Sequence, residues 1–279
     1  MRQSIFFLDL FRWYARLPLK ATLLGITILA VCFPYPAPTL RHIRHIMDPN
    51  ALIQPHAPSL QPWVEELRPR LTDGMEPRLA LNTVEKFVYE KVPYDWDWNT
   101  WGLSDYLPTV DEVVAMGKED CDGRAVIAAS LLRNFGFESR LVSDFAHVWV
   151  QTDKGETMSP GKRKAVTVTD KGMKIDWGAF AQLPNVLSYG IAVFPWPREA
   201  VVLLVGWWLL LDRRASARRA ILAAALLVAA LLLIRWSGDD YWNPVRWVRW
   251  SGVALLLATP VGLIFLGIRT RKAAQPPAL

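Results

Sequence analysis

Apolar positions follow two regimes along the chain. Near its ends they run together, over Leu17 to about Tyr35, Ala200–Leu211, Ala220–Ile234 and Gly252–Ile268. Such runs suit helices with apolar surface on every side. Between about Pro34 and Pro197 the apolar positions are spaced instead. Leu79, Val84, Phe87 and Val88 recur at helical intervals and predict a helix over 77–91. Thr109 and Glu112 form a capping box ahead of Val113, so a short helix starts there. Asp120 as N-cap and Gly136 as stop bracket a helix over 121–134. Residues 137–143 and 146–152 read as strands, Asp153-Lys154-Gly155 as a three-residue turn, and 156–159 as a return strand. A helix feeding a small antiparallel sheet predicts an α+β domain. The proline-rich stretch 34–62 reads as a connector that packs on it.

The terminal runs predict about four transmembrane helices, with Pro260 kinking the last and the short middle two relying on snorkelling arginines. A signal peptide fits the first run poorly, because its basic leader is long and no A-x-A site follows. The organisation expected is therefore residues 1–35 as a cytoplasmic N-terminus and first span, 36–76 as an extracytoplasmic connector, 77–195 as the folded domain, and 196–279 as three spans with an interfacial loop. The net charge of +6 is placed to match. Arg2, Arg12, Arg16 and Lys20 precede the first run, Arg213, Arg214, Arg218 and Arg219 separate the second from the third, and Arg269, Arg271 and Lys272 follow the last. By the positive-inside rule this distribution marks a lipid bilayer as partner and argues against nucleic acid. Four spans put the domain outside the cytoplasm. The loop 235–250 departs from the rule with Arg235, Arg246 and Arg249, and its Trp242, Trp247 and Trp250 suggest a segment lying against headgroups.

Two cysteines exclude a disulfide framework. Cys32 lies in an apolar run and reads as a buried helix residue, which leaves Cys121 as the lone thiol of the domain. It opens the 121–134 helix, where free backbone N–H groups favour a thiolate. Ala125, Ala128 and Leu132 share its face and would let a sheet approach closely. His147 begins a strand and is positioned to take the thiol proton. His42, His45 and His56 belong to the connector and read as surface histidines. Asp95, Asp97, Asp105 and Asp111 lack the loop spacing of an EF-hand. No cofactor and no metal is expected.

Residues 119–125 (Glu-Asp-Cys-Asp-Gly-Arg-Ala), 131–136 (Leu-Leu-Arg-Asn-Phe-Gly) and His147-Val148-Trp149 resemble the core of transglutaminase-like domains, with the bacterial transglutaminase-like cysteine proteinases most similar. Tyr94-Asp95, Trp101-Gly102 and Asp105-Tyr106 resemble that group's lead-in to the cysteine. The resemblance covers roughly 79–159. It implies a papain-like α+β fold and a Cys–His–Asp triad performing acyl transfer or amide hydrolysis. With the spans read above, the location expected is the bacterial cytoplasmic membrane, and the substrate expected is a protein or peptide. Two departures stand out. Glu119 replaces the family's usual glycine, and Thr157-Met158-Ser159-Pro160 stands where the third triad member would lie in Leu-Asp-Pro.

With a three-residue turn, Ser159 pairs opposite Trp149 and shares a sheet face with His147. It would orient the imidazole without supplying charge, unless Asp144 or another acid substitutes. The site residues are thus Cys121, His147 and Ser159, with the Cys121 N–H as oxyanion donor and Trp101 and Tyr106 chiefly packing. The function expected is a membrane-anchored extracytoplasmic thiol hydrolase or acyltransferase, with hydrolysis favoured over cross-linking. The rival reading is a non-catalytic module that binds a peptide or a neighbouring membrane protein.

Overall fold

A computed structural model describes residues 13–72, 74–169, 172–211, 216–239 and 243–272, without the side chains of 13–16 and 264–272. The chain divides into two compact units, residues 33–184 and the helices on either side of them. Arg2, Arg12, Arg213, Arg214 and Trp242 lie outside the described residues, as do the side chains of Arg16, Arg269, Arg271 and Lys272.

In the flanking unit, α1 is Trp13–Cys32. In the 33–184 unit, α2 (Pro36–Met47) is followed by short 3-10 turns, α3 (Gln61–Leu67), α4 (Pro77–Lys91), α5 (Asp97–Thr100), α6 (Val110–Met116) and α7 (Cys121–Asn134). Five strands come next: β1 (Arg140–Ser143), β2 (Val148–Thr152), β3 (Gly155–Thr157), β4 (Val166–Thr169) and β5 (Gly172–Ile175). They form one antiparallel sheet in the order β3-β2-β1-β4-β5. The domain is mixed helix and small antiparallel sheet, as the patterning predicts.

Local signals explain the helices. Glu76 caps α4 by accepting from the N–H groups of Arg78 and Leu79. The Thr109–Glu112 capping box opens α6, and Asp120 caps α7 by accepting from Asp122 N at 3.0 Å. Gly136 follows α7 at φ 86°, a conformation that glycine adopts without steric cost. Helix α4 buries Leu81, Val84, Phe87 and Val88, whereas Leu79 is exposed. Helix α7 is buried almost all round, with Ala125, Ala128, Leu131 and Leu132 inaccessible. It packs on α4 and α6 and on β1 and β2, which makes it the axis of the core.

Three expectations are corrected. The β2–β3 register pairs Thr152 with Gly155 and Val150 with Thr157, so the turn has two residues rather than three. A one-residue shift of register moves every side chain of the return strand to the other face. The strand also ends at Thr157, because Met158 takes a left-handed φ of 58°. Ser159 is therefore not the partner of Trp149. Strands β4 and β5 extend the sheet beyond what the patterning suggested. In the connector, His42 is buried (4 % exposed) and accepts from Leu107 N at 3.0 Å, while His45 Nδ1 lies 2.6 Å from Leu107 O.

The flanking unit comprises α1, most of α8 (Leu183–Val193), α9 (Trp196–Leu210), α10 (Ala217–Trp236) and α11 (Arg246–Lys272). Only α10 is by itself long and apolar enough to cross a membrane. The count rises to as many as three if the bent pairs Leu17–Cys32 with Pro36–Met47 and Trp177–Val193 with Trp196–Leu210 are each one span. That is one to three among the described residues rather than four. Prolines at 34, 36, 195 and 197 punctuate both bends. The expected fourth span, 252–268, runs beyond the described side chains.

The arginines of the 235–250 loop are not all headgroup contacts. Arg235 binds Glu199 at 2.7 Å, donates to the carbonyls of Ala192 and Phe194, and stacks over Trp196. Arg249 is 2 % exposed and donates to Ser237 Oγ and Gly238 O. Helices α10 and α11 meet closely at Gly252, where a Cβ would stand 2.8 Å from Ala230 O and 2.9 Å from Ile234 N. Backbone cannot give way as a flexible side chain can. Gly252→Ala should therefore cost about 1–3 kcal/mol, read as a lower thermal midpoint of the full chain by tryptophan fluorescence. An unchanged midpoint would show that the helix pair is looser than this contact implies.

Candidate active site

The site is built at the head of α7. Asp120 caps that helix by accepting from Asp122 N, and Cys121 is its first residue, at the end where backbone N–H groups favour negative charge. The residue Cys121 is half-buried, and its sulfur is placed against the start of β2, where the Val148 backbone N–H favours a thiolate. Burial, with the carboxyls of Asp122 and Asp120, pushes the thiol the other way and well above its ordinary value. The sulfur also lies 3.3 Å from Asp122 Oδ1. Cys121 therefore rests as a thiol.

His147 sits one residue before β2, next to the amide that meets the sulfur. Its Nε2 lies 3.3 Å from the Met158 carbonyl, and its ring stacks loosely on buried Trp149. Burial lowers its pKa, partly offset by the Met158 carbonyl and by Asp144. Ser159 turns to a different partner. Its hydroxyl donates to Glu156 Oε2 at 2.6 Å, and Glu156 also accepts from Trp149 Nε1 and pairs with Lys164.

Trp101 and Tyr106 both direct their polar atoms at acids. Trp101 Nε1 donates to Glu119, and the Tyr106 hydroxyl donates to Glu112 at 2.7 Å. Arg124 lies between the rings of Tyr89 and Tyr94, at 4.8 and 5.0 Å, and its Nε donates to Val92 O.

Spacing along the chain does not reveal the acidic cluster around this helix head. Asp97, Glu119 and Asp120 bring one oxygen each within 4.8 Å of one another, and so do Asp97, Asp105 and Asp122. These sets have the oxygen-rich chemistry of a hard divalent cation. Without compensating charge they cannot all ionise in a buried setting. Asp97 is 1 % exposed; burial and four neighbouring carboxyls hold its pKa far above the usual carboxylate range. Asp95 instead pairs with Lys118, and Asp111 accepts from Ser59.

Glu119 is fully buried and also accepts from Asp120 N at 2.7 Å. Burial raises its pKa from 4.5 to about 6 despite those donors. It lies over Gly123, where a Cβ would stand 2.2 Å from Glu119 Cγ and 2.8 Å from Val113 Cγ2. The segment 119–123 is thus fixed by packing as well as by capping.

Residues 66–170 match the family model described as the transglutaminase-like superfamily. The match contains Cys121, His147 and Ser159 and covers less than half of the chain. No curated protein and no solved structure matches.

Two outcomes test this geometry. Glu119 binds its proton more tightly folded than unfolded, so its contribution favours the fold below pH 4.5 and is lost as pH climbs through about 6. Between pH 4.5 and 7 the parent protein should lose about 2 kcal/mol more stability than Glu119→Gln, measured by denaturant titration across that range; parallel curves would contradict the buried charge. Gly123→Ala should displace Glu119 and destabilise the fold by about 1–3 kcal/mol, visible in the same titration.

Proposed function

We propose that the transglutaminase-like core at residues 66–170 is a thiol hydrolase or acyltransferase acting on amide bonds of proteins or peptides. The observation that carries this reading is the sulfur of Cys121 at a capped helix head, placed against the strand start that follows His147. In the proposed reaction the Cys121 sulfur attacks the amide carbonyl carbon while its proton passes to His147. That proton then goes to the leaving amine as the C–N bond breaks, and a thioester forms. Water, or an acceptor amine, releases the acyl group and restores the thiol. The Cys121 N–H, in the first turn of α7, is the donor this reading assigns to the developing oxyanion.

The resting state is a neutral pair. A thiol held above its usual pKa and an imidazole held below it exchange the proton only as the carbonyl is attacked. Anchoring by the apolar helices outside the cytoplasm belongs to the same proposal, supported by α10 and by the basic flanks of the apolar runs. The acids beside the sulfur favour a second reading, in which the cleft binds a peptide or a neighbouring membrane protein and Cys121 does no chemistry.

Alkylation of Cys121 by iodoacetamide at pH 7, followed by mass spectrometry of the full chain, separates the two. The enzyme reading expects His147→Ala to slow the reaction by about tenfold or more, the smaller end of what a positioned base supplies. Equal rates would leave the binding module.

A further inference from the structure

The carboxylate that completes a Cys–His pair does two things: it fixes which ring nitrogen carries the proton, and it stabilises the imidazolium by charge. In this chain the residue in its customary place, Ser159, spends its hydroxyl on Glu156. Two other groups stand at His147. A carbonyl oxygen only accepts, so the contact from Nε2 to Met158 O at 3.3 Å places a ring proton on Nε2. The strand break at Met158, with its left-handed φ of 58°, sets the direction of that carbonyl.

The second group is Asp144, in the turn between β1 and β2. It is fully buried, and its Oδ1 accepts from the N–H groups of Ala146 and His147 at 3.1 and 3.0 Å. Its Oδ2 is buried with no hydrogen-bond partner among the described residues. The turn is tight, closed by Asp144 N to His147 O at 3.2 Å, and it holds Phe145 at φ 77°, where a residue with a Cβ is strained. A turn alone needs only one side-chain oxygen, which an asparagine or serine provides at no cost in buried charge. The second, unpartnered oxygen is what such a turn leaves unexplained.

We propose that the role of a triad acid is divided here: the Met158 carbonyl orients the His147 ring, and the Asp144 carboxylate supplies the negative charge that stabilises its protonated form. Asp144 is thus a positioning residue acting through His147, and the inference rests on the Cys121–His147 reading above. Burial raises the Asp144 pKa above the usual carboxylate value, and its two backbone donors and His147 offset that only in part. Ionisable groups on the neighbouring elements are Cys121 with Asp120 and Asp122 at the head of α7, Glu85, which accepts from Met158 N at 2.9 Å, and Glu156, which pairs with Lys164.

Asp144→Asn keeps an oxygen for the two turn N–H groups and removes only the charge. The test is the pH–rate profile of Cys121 alkylation by iodoacetamide in the full chain, in which the C–I bond breaks, the S–C bond forms and the thiol proton passes to His147. The limb that disappears in His147→Ala should move to lower pH by about one unit in Asp144→Asn, with the rate at pH 7 falling about fivefold to tenfold. A purely structural role would change the amount of folded protein and leave that limb in place. Asp144→Ser, which also offers the turn an oxygen, serves as the second variant if the asparagine form folds poorly, and the same shift is expected of it. An unmoved limb in the folded variants, with His147→Ala still slow, overturns this inference and leaves the enzyme reading standing. A rate that does not depend on His147 overturns both.

Discussion

The close seating of α7 in the core is the constraint from which the rest of the domain follows. A helix that meets a sheet on one side and two helices on the other has little solvent-facing surface, and its stripe of small residues, Ala125, Ala128 and Ala129, permits that approach. The price falls at its first turn. Asp120, needed as a cap, and Asp122, one residue into the helix, are carried into the interior with the chain, where Asp97 and Glu119 meet them. An acidic N-terminus is favourable for a helix in water. In this crowded setting it becomes a cluster that holds protons, and its charge bears directly on the sulfur between the two aspartates.

That conflict gives the site its character. Helix-head N–H groups and the Val148 amide favour a thiolate; desolvation and neighbouring acids oppose it, and they prevail. An alanine at 121 would fill the helix as well without placing a titratable group there. Departures of this kind from local consistency concentrate where a protein has a function to perform. The same holds for Glu119, whose side chain ties Trp101 and the Asp120 amide together over Gly123. A glycine at 119 would leave that space to other groups.

What was legible in the sequence was local. The 77–91 and 121–134 helices, the Asp120 cap and the Thr109–Glu112 box rest on contacts within four residues, and each forms as its pattern indicates. The unread features depend on pairings across long separations or on a single residue of register. Glu119 and Asp97 lie 22 positions apart, so no spacing rule joins them. His42 looked like surface because nothing near it in sequence supplies Leu107 N. Strand β5 is exposed along its whole length and lacks the alternation by which strands are recognised. The hairpin turn Asp153-Lys154 is compatible with two or three residues until Gly155 pairs with Thr152, and that one step sends Ser159 to Glu156.

Register errors of this size matter more for chemistry than for fold. The sheet stays antiparallel whichever way the turn closes, and the core residues of β2 keep their faces. The identity of the atom beside His147 changes completely: a hydroxyl in one register, a main-chain carbonyl in the other. A carbonyl cannot be removed by substituting a side chain and carries no net charge, so orientation becomes a property of the fold while charge must come from elsewhere. In the proposed arrangement that source lies on the approach to β2 rather than on the strand after it. The acid then precedes the histidine by three residues, and one tight turn fixes both. Such a unit needs no aspartate at position 159, because the pieces that matter are held by the β1–β2 turn and the strand break at Met158.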